Sequence, residues 1–353
     1  MTRSARRKVP EAPKCAVQNG SPGGPEPGPH TTGGGAPGLP GAHGRAGGEK
    51  TRYGEAPRWV TASDGVPLAV YEHGDPAAPT VLCVHGFPDD HRVWDAVAAR
   101  LAAHGFHVVT YDVRGSGSSG APRRTRAYRL PQLAADTTAV ADAVSPHAPV
   151  HLLTHDWGSV QSWHTVSTPE LAHRYASMTS ISGPDLDHTG RWYRAQVRRP
   201  TPARLGKLLR QALASQYVAF FHLPGVAELA CRSGLLDGVI KGLLRLETGE
   251  PPQGYGPGRA ARNRAGLKLY RANVLPRMLR PRVRHAALPA QVLAPSKDVF
   301  VLPPWQTEIS DWAPGAEIHH VDGGHWLPGF RPALVAEYVV RLVERVGREG
   351  AAR

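Results

Sequence analysis

The 353-residue sequence has only three cysteines, Cys15, Cys83 and Cys231. An odd count at irregular spacing gives neither a disulfide framework nor a metal site. Cys83 lies in an apolar run and reads as a small buried residue. A reducing, cytoplasmic setting is the simplest expectation. No run of about eighteen apolar residues occurs, so no membrane span is expected. Arg3, Arg6, Arg7 and Lys8 are followed by no apolar core, so the amino end does not read as a secretory signal. Apolar side chains are scarce through residues 1–55, where Ser21-Pro22-Gly23-Gly24-Pro25 and Gly33-Gly34-Gly35-Ala36-Pro37-Gly38 are typical. Such a tail cannot bury enough surface to offset its ordering entropy, so disorder is expected there.

Basic charge is plentiful by contrast, with a net charge of +13. Between Asp185 and Arg284, nineteen Lys and Arg face six acidic residues, so this segment alone accounts for the excess. No recognition motif accompanies it, and nucleic acid is not an expected partner. Attraction to an anionic membrane surface or to an acidic lipid substrate is one reading. A solvated Arg-rich face is the more economical one.

From Arg58 the pattern is ordered. Trp59–Ala62 and Val66–Tyr71 read as strands joined at Ser63-Asp64-Gly65. Thr80–Val84 is a continuous apolar strand of the kind buried on both faces. Trp94, Val97 and Leu101 mark a helix ended by Gly105, Phe106–Tyr111 a strand, and Pro131–Val144 a helix. Strands follow near Ser177–Ile181, Ala290–Ala294 and Glu317–Val321, with helices near Trp305–Asp311 and Pro332–Val346. Alternating strands and helices predict an α/β fold, a mostly parallel sheet with helices on both faces. Residues 56–184 and 287–353 form the expected core, and residues 185–286, helical and Arg-rich, form an expected cap over the carboxyl ends of the strands.

The stretch Val150–Ser159 organises the rest. An apolar strand becomes polar at Thr154, and Gly158 opens a helical segment. Small residues flank Asp156 at the tip, which is the form of a nucleophile elbow. A carboxylate has an ordinary pKa of about 3.9 and is already an anion at neutral pH. It can attack a saturated carbon without a base, but water must then cleave the resulting ester. The competing reading of Asp156 is a buried helix cap. His325 in Gly323-Gly324-His325-Trp326 follows the last strand and is the expected base, chosen over His319 and His320, which sit within that strand. Asp298 follows the preceding strand and is the expected orienting acid, with Asp185 the fallback. The N–H groups of Trp157 and Phe87 are the expected oxyanion donors, with Gly86 permitting close approach.

Four motifs together, His85-Gly86-Phe87-Pro88, Asp112–Ser118, His155-Asp156-Trp157-Gly158 and Gly324-His325-Trp326, resemble the α/β-hydrolase-fold epoxide hydrolases across residues 58–348. The pattern is similar to actinobacterial members, including those fused to a short-chain dehydrogenase; no dehydrogenase half is read in this sequence. The resemblance implies that Tyr217 and Tyr270 assist ring opening, and that Trp157, Phe221 and His222 contact substrate. Two positions depart from it. Thr154 stands where Gly is usual, and a tighter elbow is the expected result; His222 stands where Gln is frequent, altering the wall near Tyr217. A hydrophobic epoxide and water are the implied partners, with no metal or organic cofactor. A haloalkane dehalogenase also carries an Asp-Trp elbow, but Phe87 stands where such enzymes usually carry a halide-binding Asn. A binding protein with a vestigial site is the third reading.

Overall fold

Ser63-Asp64-Gly65 turns the chain between β1 (Arg58–Thr61) and β2 (Pro67–His73), which pair antiparallel. In the computed structural model, which describes residues 56–248 and 259–351, they lead into one sheet of eight strands. The expected disordered segment at residues 1–55, Cys15 included, lies outside the described residues. The other strands are β3 (Thr80–Val84), β4 (His107–Tyr111), β5 (Val150–His155), β6 (Tyr175–Ile181), β7 (Ala290–Pro295) and β8 (Ala316–Val321). Their order is β1-β2-β4-β3-β5-β6-β7-β8. β2 is antiparallel to β4, and every pair from β4 to β8 is parallel. The expected α/β fold is therefore present. β3 and β4 are buried at every position, which explains their unbroken apolar runs.

The sheet is covered on both faces. α1 (Asp95–Ala103) follows β3, α2 (Leu130–Val144) follows β4, and α3 (Trp157–Val166) follows β5, with the short α4 (Pro169–Ala172) behind it. Successive side chains of a strand point to opposite faces. Leu152 accordingly packs with Trp163 and Val140, and Leu153 with Trp94, Leu101 and Val339.

Between β6 and β7, six helices run among the described residues: α5 (Leu186–Arg198), α6 (Pro202–Ala214), α7 (Gln216–Phe221), α8 (Val226–Arg232), α9 (Leu235–Thr248) and α10 (Arg259–Leu279). Asp185 caps α5, its carboxylate accepting from the His188 N–H at 2.7 Å. α10 is tied to the sheet side by Asn273, which accepts from the Leu130 N–H and donates to the Tyr128 carbonyl.

The chain ends with α11 (Pro303–Thr307), α12 (Leu327–Phe330) and α13 (Pro332–Ala351). The helix expected at Trp305–Asp311 begins two residues earlier and stops at Thr307. Pro303 and Pro304 suit a first turn, where no N–H is needed. Beyond it, the Trp312 and Ala313 N–H groups both close on the Ile309 carbonyl and turn the chain toward β8. Among the described residues no helix is long and apolar enough to cross a membrane.

Candidate active site

Asp156 occupies the turn between β5 and α3 with φ 50° and ψ −120°. This is a strained backbone for a residue with a side chain, and it persists only where the surroundings enforce it. The enforcement is visible. The Asp156 N–H donates to the Ile181 carbonyl, and its own carbonyl accepts from the Val160 N–H, both at 3.0 Å. A Cβ on Gly158 would lie 2.0 Å from the Val84 carbonyl oxygen, so only glycine lets α3 start this close to β3. Thr154 is accommodated by hydrogen bonding: its hydroxyl donates to the Thr179 carbonyl at 3.0 Å and pairs with the Ser159 hydroxyl at 2.8 Å.

The loop after β3 closes on the same carboxylate. A Cβ on Gly86 would meet Asp156 Oδ1 at 2.3 Å. In the space that glycine leaves, the Phe87 N–H donates to Asp156 Oδ1 at 2.7 Å. The Trp157 N–H bonds the carboxylate as well. Burial dominates the electrostatics of Asp156 and raises its pKa to about 6; His325 and the two N–H groups pull the other way and offset part of the rise.

His325 and Asp298 come together from the loops after β8 and β7. His325 Nδ1 lies 3.1 Å from Asp298 Oδ2 and 3.2 Å from Oδ1. On the other side of the ring, Nε2 lies 3.7 Å from Asp156 Oδ2. Asp298 is fully enclosed. Burial raises its pKa, yet His325 and the N–H groups of Val301 and Phe300, each at 2.9 Å, more than compensate and hold it below the ordinary value. The fallback acid Asp185 is engaged as the cap of α5.

Beside these three side chains lies a cavity of about 360 Å³ lined by Asp156, His325, Tyr217 and Tyr270 and otherwise largely apolar, with Phe87, Phe220, Phe221 and Phe300 among its walls. The Tyr217 and Tyr270 rings are 6.0 Å apart, edge to face. Burial raises both phenols well above the ordinary value; the Asp156 carboxylate adds to the rise in both, and Tyr217 does so for Tyr270. They therefore hold their protons at neutral pH. Tyr270 also packs edge to face on the Trp157 ring, 4.8 Å away.

Two expected substrate contacts lie elsewhere. The Trp157 indole sits behind Tyr270 and is not among the lining residues. His222 is also outside the lining; its Nδ1 bonds the Val218 carbonyl at 2.8 Å, one helical turn back, which draws the ring along its own helix. Phe221 does line the cavity. The sequence reading missed Phe300, whose ring packs 4.9 Å from His325 and 5.6 Å from Tyr217, and it missed His155. His155 bonds the His325 carbonyl through Nε2 at 2.8 Å. The one signal for Phe300 was its place two residues after Asp298. Among the described residues, Asp90, His91 and Asp112 come close enough together to share a metal ion. Asp112 already accepts from the N–H groups of His91 and Ser118, and Asp90 pairs with Arg92.

A sequence model of the alpha/beta hydrolase fold matches residues 79–332. A curated relative, the probable oxidoreductase EphD of Mycobacterium tuberculosis, is 37% identical over 290 residues, covering 80% of this chain and 48% of that protein. Epoxide hydrolase A of the same organism is 36% identical over 167 residues, covering 47% of this chain and 48% of the relative. The chain thus spans about half the length of these curated relatives. An epoxide hydrolase structure from Bacillus megaterium, solved with a diol product, superposes with a TM-score of 0.64 at 21% identity, covering 81% of this chain and 100% of that one; it supports the fold. The resemblance read from the elbow and the loop motifs is borne out, and the chain belongs to the alpha/beta hydrolase fold family.

Proposed function

We propose that the protein is an epoxide hydrolase that converts a hydrophobic epoxide to a vicinal diol through an ester on Asp156. The observation that carries this is the division of labour between the two carboxylate oxygens. Oδ1 is held by the Phe87 N–H at 2.7 Å, while Oδ2 lies on the His325 side. The helices from Leu186 to Leu279 act in this scheme as a cap that brings Tyr217 and Tyr270 over the carboxylate.

In the first step Oδ2 attacks a ring carbon and the carbon–oxygen bond of the epoxide breaks. The departing oxygen becomes an alkoxide, and the paired phenols stabilise and protonate it. In the second step His325 Nε2 takes a proton from water, and the hydroxide adds to the Asp156 carboxyl carbon. Negative charge then develops on Oδ1, which the Phe87 N–H already faces at 2.7 Å, with the Trp157 N–H acting on the same carboxylate; donors placed before charge develops need no reorganisation. Asp298 orients the imidazole and stabilises its protonated form. Collapse breaks the bond from the carboxyl carbon to Oδ2; the departing alkoxide takes the proton of the hydroxyl added from water, which frees the diol and the Asp156 carboxylate, and the proton on His325 returns to the phenol that gave one up. The scheme requires no metal or organic cofactor.

Dehalogenation is less well supported. A leaving halide needs donors beside Asp156, but the Phe87 side chain is a hydrocarbon ring packed against Phe221 and Tyr270, and the Trp157 ring packs against Tyr270. The test is hydrolysis of an aryl or fatty epoxide in oxygen-labelled water. Wild type should form diol, and its Asp156 should acquire label over repeated turnovers. His325→Gln should accumulate the alkyl ester, visible as added mass on the peptide containing Asp156. Failure of both proteins to react with any epoxide would overturn the reading.

A further inference from the structure

The helix α6 is amphipathic in the wrong sense for a helix that covers a core. Leu205, Leu209 and Leu213 recur at intervals of four residues, so they form one stripe. They are 52%, 64% and 62% exposed. The buried side chain of this helix is polar: Gln211 lies on roughly the opposite side and its Nε2 donates to the Phe300 carbonyl and the Ser215 hydroxyl. Phe300 is a wall of the catalytic cavity. The helix therefore turns a polar side chain toward the cavity wall and a leucine stripe toward the surroundings. The same inversion appears at the cavity mouth. Leu235 and Val239, one turn apart on α9, both line the cavity and are 62% and 51% exposed.

Charge indicates what covers this face. α6 carries Arg204, Lys207 and Arg210 and no acidic residue. Lys207 is paired with Glu308, while Arg210 is exposed; Arg232, Lys241 and Arg245 are exposed on or beside the mouth helices. α8 and α9 carry three acidic residues, Glu228, Asp237 and Glu247; Glu228 is paired with Arg271 and Asp237 accepts from Asn263, so Arg210, Arg232, Lys241 and Arg245 outnumber the remaining Glu247. An outward apolar stripe with unbalanced positive charge beside it is the pattern of a helix lying in the interface of an anionic bilayer.

We infer that the outer face of α6 and the mouth of the catalytic cavity seat on an anionic lipid bilayer, and that a lipid-like epoxide passes from the bilayer into the cavity between Leu235 and Val239. The contact itself rests on the surface. The delivery of substrate rests on the hydrolase reading. A bilayer-dissolved epoxide is concentrated where the mouth opens, and it avoids crossing water.

The test uses the full chain with mixed phosphatidylcholine–phosphatidylglycerol vesicles, pure phosphatidylcholine vesicles as a control, and two substrates. Sedimentation should show binding to the mixed vesicles that weakens with added salt, and little binding to the pure ones. Leu205→Ser/Leu209→Ser/Leu213→Ser should weaken binding at least about tenfold through lost apolar burial. Arg210→Gln/Lys241→Gln should weaken it about thirtyfold at low salt, since each basic side chain near the surface contributes about 1 kcal/mol. Both variants should keep the wild-type rate on a short water-soluble epoxide and lose rate on a long-chain epoxide dissolved in vesicles. Equal binding of wild type and the leucine variant, or no binding to mixed vesicles, overturns the contact. So does a stable dimer of wild type that the serine substitutions dissociate, because a second copy would then own the stripe. Binding that follows these expectations with no turnover of either substrate leaves the contact standing and removes the hydrolase reading.

Discussion

His155 Nε2 donates to the backbone carbonyl of His325 at 2.8 Å, so the residue before the elbow aspartate holds the peptide of the triad histidine. Burial, with the His325 charge next, lowers the His155 pKa to about 3, and the ring is neutral at any working pH. The Ser182 hydroxyl donates to the same carbonyl at 3.3 Å, and the Trp326 indole N–H donates to the buried Asp89 at 3.2 Å. The loop bearing His325 is thereby fixed from the ends of β5 and β6 and from the loop after β3. A single strand thus carries Asp156 and clamps the group 3.7 Å from it.

Replacing His155 by Phe should therefore slow ester hydrolysis more than ester formation. A misplacement of about 1 Å can cost a hundredfold in rate, so kcat should fall about tenfold to a hundredfold while ester formation keeps its speed. His155→Gln, whose amide nitrogen can occupy the place of Nε2, should recover most of the loss. Rapid-quench measurement of ester and diol separates the two steps. A Phe variant slowed equally in both would show that His155 acts only on the fold.

Asp156 makes the protein less stable when it is ionised. Its pKa rises from an ordinary 3.8 to about 6, chiefly through burial, and this corresponds to about 3 kcal/mol. For a carboxyl with a raised folded-state value, the cost is absent below the unfolded value and fully present above the folded one. Asp156→Asn should therefore melt at higher temperature than wild type at pH 8, with the difference shrinking between pH 6 and pH 4. Ester formation by the wild type should fall as pH drops through about 6, because the protonated acid is a poor nucleophile. Thermal melts across pH and single-turnover rates check both.

The elbow was legible because its physics is local. An apolar strand, a polar switch at Thr154 and the small Gly158 fall within ten residues, and Asp156 sits where they meet. His325 and Asp298 were legible from their places after late strands. The hydrogen bonds of Thr154 were not, since the acceptor at Thr179 belongs to the next strand. Nor was the rest of the cavity wall: Ile240 and Phe300 join Phe87 and Phe221 from separate segments, and no period in the sequence records that meeting. Tyr217 was found by resemblance, because a six-residue helix has too little periodicity to show which side faces a ligand. His222 misled for a related reason. Its neighbour Phe221 faces the cavity, whereas the His222 ring folds back onto Val218.

The paired phenols should be partly redundant. Tyr217→Phe and Tyr270→Phe should each slow ring opening about tenfold to a hundredfold, and the double variant about ten-thousandfold, in line with the loss of a general acid. Each single variant leaves one donor over Asp156. Since both phenols are raised above their ordinary value, wild-type ring opening should show no loss from phenol ionisation up to about pH 10. Stopped-flow rates of ester formation for the four proteins across pH decide this. A double variant as fast as wild type would exclude both tyrosines from the first step.

Arg114 offers a test of the scaffold away from the cavity. It is buried, donating through Nε and Nη2 to Asp136 at 2.5 Å each, and through Nη1 and Nη2 to Asp64 at 2.8 and 3.0 Å. The guanidinium joins the β1–β2 turn to α2. Burial pushes the Asp136 carboxyl up by more than Arg114 draws it down, so desolvation is the larger effect at this pair. Removing one partner of such a pair strands the other charge and costs about 3–5 kcal/mol, whereas replacing both by apolar residues is often neutral. Arg114→Ala should therefore destabilise by that amount in urea, and Arg114→Met combined with Asp136→Leu should recover much of it. Asp64 is partly exposed, and its loss should cost about 1 kcal/mol or less. Folded fractions of all three variants should turn over epoxide at the wild-type rate, since none of these groups borders Asp156 or His325. An alanine variant as stable as wild type would mean that Arg114 does not hold the hairpin to α2.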